Sequence, residues 1–183
     1  GLDFYYICYD NEAYGNTGMQ LSPATPYGAR TATSPCSLQH PSGASQEKKD
    51  IFEIWRAHKP PYIATVAPRY PLDLEEKFAR AAAFTGPKMF LMLAACPTGW
   101  LYDPGKTPEV AKLAVETGLW PLKEAINGVL THTYVPKRKP VEAYLKLHGR
   151  FRHLFEPTVQ TEAIQHIQAR VDAYWERATR EGS

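Results

Sequence analysis

The chain has 183 residues, three cysteines and a formal net charge of +2 at pH 7. This length fits one domain with its own core, and the small net charge gives no argument for a nucleic-acid partner. The sequence shows no signal peptide and no apolar run near the roughly 20 residues that cross a bilayer, so we expect a soluble, cytoplasmic protein that binds no membrane. The cysteines are far apart and form no Cys-x-x-Cys pair, which excludes a readable disulfide framework or zinc site.

The first predicted element is a strand. Residues 4–9 are short, aromatic and β-branched without helical spacing, which predicts a buried strand. Residues 10–45 then form a long segment of Gly, Pro, Ser and Thr, and a segment of that size inside a domain is usually functional. In an open α/β sheet, ligands bind in the crevice beyond the carboxyl ends of strands, so the start of this segment is a candidate site.

Oxygen donors and glycines crowd that start. Asp10 and Asn11 carry side-chain oxygens, Ala13 offers a backbone carbonyl, and Gly15 and Gly18 let the chain approach a ligand closely. Such donors suit a hard divalent cation and a diphosphate. An ordinary junction rich in turn formers is the alternative.

The rest of the chain predicts alternating helices and strands, followed by a mainly helical tail. Helices are predicted from Ser45 to before Pro60 and over residues 71–84, 108–117, 141–147 and 158–180; strands are predicted over residues 62–67 and 88–95, with a hairpin of residues 122–124 and 131–134 turning at Asn127-Gly128. The continuous apolar run of residues 88–95 is typical of a strand in a parallel sheet covered on both faces.

Two segments together resemble a known family. Residues 4–29 are similar to the thiamine-diphosphate motif of the 2-oxoacid:ferredoxin oxidoreductases, in the β subunit of the pyruvate type, and residues 94–100 match that family's Cys-Pro-Thr-Gly-Trp block. The resemblance implies part of a three-layer α/β thiamine-diphosphate-binding fold with a mainly parallel sheet and a helical C-terminal tail. It divides the chain into residues 1–100, the C-terminal part of the thiamine-diphosphate-binding domain, and residues 101–183, an extension expected to pack against other subunits.

The same resemblance implies roles for individual residues. Asn11 and Ala13 would ligate Mg²⁺ with a side-chain oxygen and a backbone carbonyl, and Asn16 would lie beside the reactive ring as the catalytic residue. Thr17 and Gly18 would line the pocket. Asp10 is expected to shape the turn, and Glu12 receives no role.

Cys96 would supply one thiolate to a [4Fe–4S] cluster. Four cysteines hold such a cluster, so the other three must lie outside this chain. The alternative is a lone, buried cysteine beside a tight turn.

The implied activity is oxidative decarboxylation of a 2-oxoacid with thiamine diphosphate, coenzyme A as co-substrate, and ferredoxin, or NAD through a flavin subunit, as acceptor. The Asn16-Thr17-Gly18 form favours pyruvate, with aromatic or branched 2-oxoacids left open. Partners of the alpha, gamma and delta type are expected, and the chain alone should be inactive. The family's Gly-Asp-Gly and Cys-x-x-Cys segments do not occur here, so a preceding segment or a second chain would supply them.

Other readings stay open. A non-redox thiamine-diphosphate decarboxylase or synthase subunit would share the cation motif without needing Cys96, and a non-catalytic assembly fragment would keep only the fold. Lys48 is interpreted as part of a solvated helix start, and His148 and His153 as surface or interface residues.

Overall fold

A computed structural model describes residues 1–37 and 41–181. Its centre is a five-stranded sheet in the order β1-β3-β2-β4-β5. The strands are β1 Phe4–Asp10, β2 Tyr62–Val66, β3 Pro87–Leu93, β4 Leu122–Ile126 and β5 Val129–Tyr134. β1, β3 and β2 run parallel, whereas β4 and β5 are antiparallel to their neighbours and form the predicted hairpin.

Helices cover both faces of the sheet. They are α1 Ile51–Ala57, α2 Pro71–Ala81, α3 Pro97–Trp100, α4 Thr107–Glu116, α5 Glu142–Leu145 and α6 Thr161–Glu181, with 3-10 turns at Pro104–Lys106 and Gly149–Leu154. Successive side chains of β2 point to opposite faces. Tyr62 and Ala64 therefore pack with the α2 residue Ala81, while Ile63 packs with Phe52 of α1. This arrangement confirms the predicted α/β fold with helical layers around a mostly parallel sheet.

The largest core cluster joins the sheet to the C-terminal helices. Leu91 and Leu93 of β3 share it with α4 and with Ile164 and Val171 of α6. Those α6 residues recur at helical spacing, so the amphipathic pattern of the last helix packs inside this chain. None of the helices in the described part of the chain is long and apolar enough to cross a bilayer.

Two expectations about the first half of the chain are wrong. β1 is not buried: Tyr9 is 69% exposed and Tyr6 47%. Among the described residues β1 lies at the edge of the sheet and pairs only with β3. α1 begins at Ile51 and not near Ser45, because the Asp50 side chain accepts a hydrogen bond from the Glu53 N–H and caps the helix there.

Candidate functional site

The site begins where β1 ends. The buried Asp10 accepts the Glu12 N–H through Oδ1 at 2.9 Å, and Asn11 Oδ1 accepts the Ala13 N–H at 3.2 Å. Each side chain thus holds the backbone two residues further on, which bends the chain away from the strand direction. Glu12, between them, has a φ of +60°, in the left-handed region. The expectation that Asp10 shapes the turn agrees with this geometry.

The next residues close into a small loop. Tyr14 and Gln20 exchange backbone hydrogen bonds of 3.0 and 3.1 Å, and the Thr17 side chain bonds to that of Gln20. Asn16, Thr17 and Gly18 lie at the exposed tip. The site residues expected to face a substrate or ring therefore lie on the outer side of the loop, where a ligand has access.

The second motif lies directly beside this loop. β3 is the parallel neighbour of β1, Asp10 pairs with Leu93, and the Ala94 N–H donates to the Asp10 carbonyl at 3.0 Å. Parallel neighbours end at the same edge of a sheet, so the turn carrying Cys96 starts next to Asn11.

Direct contacts join the two motifs. The Trp100 indole N–H donates to the Asn11 carbonyl at 3.0 Å. A Cβ built on Gly99 would lie 1.9 Å from Met19 Cε, so the Met19 side chain rests against Gly99. Cys96 is half-buried, caps α3, and its Sγ accepts the Gly99 N–H at 3.4 Å. The structure therefore brings Asn11, Met19 and the Cys96 turn into one compact region.

A buried ion network lies beneath the loop. Lys48 Nζ is 2.7 Å from both Asp10 Oδ2 and Glu12 Oε1, and an Arg150 guanidinium nitrogen is 2.6 Å from Glu12 Oε2. Arg150 also donates to the Tyr144 hydroxyl and to His148 Nδ1. Lys48 is consequently not a solvated helix-start residue, because two carboxylates draw it inward.

The network sets the charge states of its members. Burial works against the charged carboxylate of Glu12, but Lys48 and Arg150 outweigh that effect and hold the pKa of Glu12 below its ordinary value. Burial likewise disfavours the Lys48 ammonium, yet Glu12 and Asp10 raise the pKa of Lys48 above its usual range. Glu12 and Lys48 therefore both remain charged at neutral pH.

His148 is a buried residue, so the expectation of a surface or interface histidine is wrong. It is 3% exposed, and its ring packs against Tyr144, Phe151 and Trp100. Burial, with the Arg150 charge beside it, lowers the pKa of His148 to about 2, so the ring is neutral. His153 is half-buried and bonds through Nε2 to the Ser42 carbonyl at 3.1 Å.

The available donors fit a hard cation. Asn11 offers an amide oxygen and Ala13 a carbonyl, both partly exposed, and neutral oxygens of this kind suit Mg²⁺. A Cβ on Gly15 would lie 2.8 Å from the Asn11 side-chain nitrogen. Because Gly15 has no side chain, there is room beside it for the Asn11 side-chain amide. Within residues 1–37 and 41–181, no group of three His, Cys, Asp or Glu side chains is placed to hold a metal.

Sequence reasoning missed Lys48 and Arg150. The residues that they bind precede them by 36 to 138 positions, and no local pattern links such distant charges. The only signal was indirect: Glu12 is the one charged residue in the sequence of residues 11–29. An acid that becomes buried needs a cation.

Comparisons with known proteins identify the family. Residues 1–91 match the family model described as the thiamine pyrophosphate enzyme, C-terminal TPP binding domain. Over 173 residues the chain is 47% identical to pyruvate synthase subunit PorB of Methanocaldococcus jannaschii, covering 94% of this chain and 56% of that protein. Over 180 residues it is 42% identical to ketoisovalerate oxidoreductase subunit VorB of Pyrococcus abyssi, and the match covers 97% of this chain and 56% of that protein. The chain thus spans just over half the length of these curated relatives.

A solved structure gives a weaker likeness. It is 2-oxoglutarate:ferredoxin oxidoreductase from Magnetococcus marinus with 2-oxoglutarate, coenzyme A and succinyl-CoA bound. The TM-score is 0.43 at 18% identity, over 60% of this chain and 43% of that chain. The family assignment therefore rests on the sequence relatives.

Proposed function

Because the chain belongs to the family of pyruvate synthase subunit PorB and ketoisovalerate oxidoreductase subunit VorB, we propose that it supplies the thiamine-diphosphate loop and one cluster thiolate of a pyruvate-type 2-oxoacid:ferredoxin oxidoreductase. The observation that carries the proposal is the contact between the two motifs, with Trp100 of the Cys96 turn hydrogen-bonded to Asn11 of the loop. A cofactor and a cluster held on these turns would be neighbours.

The residues have separate tasks. Asn11 and Ala13 hold Mg²⁺ and, through it, the diphosphate, while Thr17 and Gly18 line the pocket. The exposed amide of Asn16 donates to the 2-oxoacid and orients it. Cys96 supplies one of four thiolates, and the remaining three come from outside this chain.

The overall reaction converts one 2-oxoacid and one coenzyme A into one acyl-CoA, CO₂ and a proton, and two ferredoxins each accept one electron. When bound, thiamine diphosphate supplies an electron sink and the cluster a one-electron carrier. The Met19 side chain packs against Gly99 and so fills the space between the two motifs.

Partners are proposed because the relatives are named as subunits of larger enzymes. We propose subunits of the alpha, gamma and delta type that complete the thiamine site and the cluster and dock ferredoxin. Coenzyme A is the acyl acceptor. Pyruvate is the proposed substrate because the Asn16-Thr17-Gly18 form of the loop resembles that of the pyruvate-type enzymes. A kcat/KM for a branched 2-oxoacid equal to or above that for pyruvate would reassign the substrate.

The test uses the complex assembled with its partner subunits. Asn11→Ala should weaken Mg²⁺-dependent thiamine diphosphate binding, measured by calorimetry. Cys96→Ser should lower bound iron and sulfide and abolish ferredoxin reduction. Cys36→Ser, at a position outside both motifs, should leave both unchanged. Pyruvate-dependent ferredoxin reduction that survives Cys96→Ser with full iron content would show that Cys96 ligates no cluster. A wild-type complex that decarboxylates pyruvate without reducing ferredoxin would favour the non-redox enzyme.

A further inference from the structure

Glu12 is held at every polar group it has. Its N–H donates to Asp10, its carbonyl accepts the Thr25 hydroxyl at 2.8 Å, and its two carboxylate oxygens bind Lys48 and Arg150. Its φ of +60° is one that a residue with a side chain keeps only where its surroundings over-determine it. Because a loop residue with this many fixed contacts is held rigidly, we expect Glu12 to fix the position of its neighbours in the chain.

The charges of the network balance. Two carboxylates, from Asp10 and Glu12, face two cations, Lys48 and Arg150, and each carboxylate oxygen is already bonded to an N–H or a cation. All four carboxylate oxygens therefore already have partners within the protein. A cation beyond the end of β1 is left to the neutral oxygens of Asn11 and Ala13, which flank Glu12 on either side.

Arg150 contacts the two residues on either side of Asn11 in space, Trp100 and Glu12. Its guanidinium carbon lies 3.8 Å from the centre of the Trp100 ring, and the same side chain binds Glu12. Trp100 in turn donates to the Asn11 carbonyl. Asn11 precedes Glu12 in the chain and accepts the indole N–H of Trp100. Arg150 therefore contacts both residues that hold Asn11 in place, Glu12 and Trp100.

We propose that Glu12, Lys48 and Arg150 form a clamp that positions Asn11 and Ala13 for the cation that holds the diphosphate. They are positioning residues for the function proposed above, on which this inference rests. The clamp also gives the C-terminal extension a part in the cofactor site, because Arg150 lies in it. Charged partners that orient a ligand-bearing segment typically change metal affinity 10- to 100-fold when removed.

The clamp is tested in the assembled complex with Glu12→Gln and Arg150→Lys. Glu12→Gln keeps the shape but removes the charge, and Arg150→Lys keeps the charge but loses the planar group over Trp100. Calorimetric titration with Mg²⁺ and thiamine diphosphate should show a Kd raised about 10- to 100-fold. Because only positioning is lost, kcat at saturating cofactor and the iron content should stay close to wild type.

The control is Lys139→Gln, which removes an exposed ion pair of 2.8 Å with Glu116 outside the network. It should leave the Kd unchanged. Glu12→Gln or Arg150→Lys complexes with a wild-type Kd overturn the clamp, as does a lowered melting temperature with an unchanged Kd in the folded fraction.

If neither variant assembles, Thr25→Val decides. It removes the hydroxyl that donates to the Glu12 carbonyl and accepts the Ser22 N–H, and it leaves every charge of the network in place. A several-fold higher Kd supports the clamp, and an unchanged Kd overturns it. A wild-type complex that binds no thiamine diphosphate would instead overturn the proposed function.

Discussion

The Trp100 indole N–H donates to the Asn11 backbone carbonyl at 3.0 Å, across 89 positions of sequence. Trp100 is completely buried, and Asn11 directly follows β1. The bond therefore fixes the turn after β3 against the turn after β1, and Asn11 can move only if the Cys96 turn moves as well.

Trp100→Phe should loosen this link. The ring volume is largely kept, but the Asn11 carbonyl loses its donor, and an unsatisfied group of this kind costs about 1–3 kcal/mol. We expect a lower melting temperature and a weaker affinity of the assembled complex for thiamine diphosphate. Trp175→Phe is the matched control, because Trp175 also donates to a buried carbonyl, that of Gly118 at 3.1 Å, but far from the loop. Equal effects of both variants on cofactor affinity would contradict the specific role of Trp100.

Gly15→Ala should displace Asn11 without touching any charge. A Cβ there would lie 2.8 Å from the Asn11 amide nitrogen, closer than real Cβ contacts allow, so the amide must turn away. The expected result is a higher Kd for Mg²⁺ and thiamine diphosphate with little loss of stability. Gly105→Ala, whose Cβ would lie 3.2 Å from an Asp103 oxygen in a turn outside the site, serves as control. An unchanged Kd in the Gly15 variant would show that the Asn11 side chain does not ligate.

Gly99→Ala tests the contact between the two motifs. Its Cβ would overlap the end of the Met19 side chain, which must move, and the Cys96 turn would shift if Met19 cannot. We expect a loss of about 1–3 kcal/mol of stability, from overpacking, and a partial recovery in the double variant with Met19→Ala. Strictly additive free energies in the double-mutant cycle would mean that the two residues do not interact.

The fold was largely predictable because its patterns are local. The alternation of apolar strands with helical periods predicts the parallel sheet, and the placement of both motifs after strands predicts that they meet at one edge. The exposure of β1 was not predictable in this way, because the burial of a strand depends on its neighbours in the sheet. In the part of the chain that the structure describes, β1 has only β3 as a neighbour. The helix start at Ile51 depends on the cap at Asp50, which several nearby polar residues could have supplied.

The support of the site was not predictable. Asn11, Ala13 and Cys96 stand in recognisable motifs, whereas Arg150 lies in a segment with no sign of chemistry and binds Glu12 across 138 positions. Pairings of that range depend on the completed fold. The charge of Glu12 indicated that a partner must exist but not which of the 21 Lys and Arg residues it is.

His148 should make stability depend on pH. Its ring accepts from Arg150 at Nδ1, which leaves the proton on Nε2, and within the described residues that buried nitrogen has no hydrogen-bond partner. Burial lowers the pKa of His148 in the folded chain from 6.5 to about 2. Between these two values the unfolded chain binds a proton at His148 and the folded chain does not. The stability is therefore complete above about pH 6.5 and falls by roughly 1.4 kcal/mol per pH unit below it.

His148→Gln can accept from Arg150 but cannot titrate. The difference in unfolding free energy between wild type and variant should therefore shrink or reverse as the pH falls from about 7.5 to about 5. Comparing the two proteins cancels the contribution of His153, whose pKa burial also lowers. Denaturant unfolding across that range measures the difference, and a value that stays constant with pH would mean that the folded state admits the proton at His148.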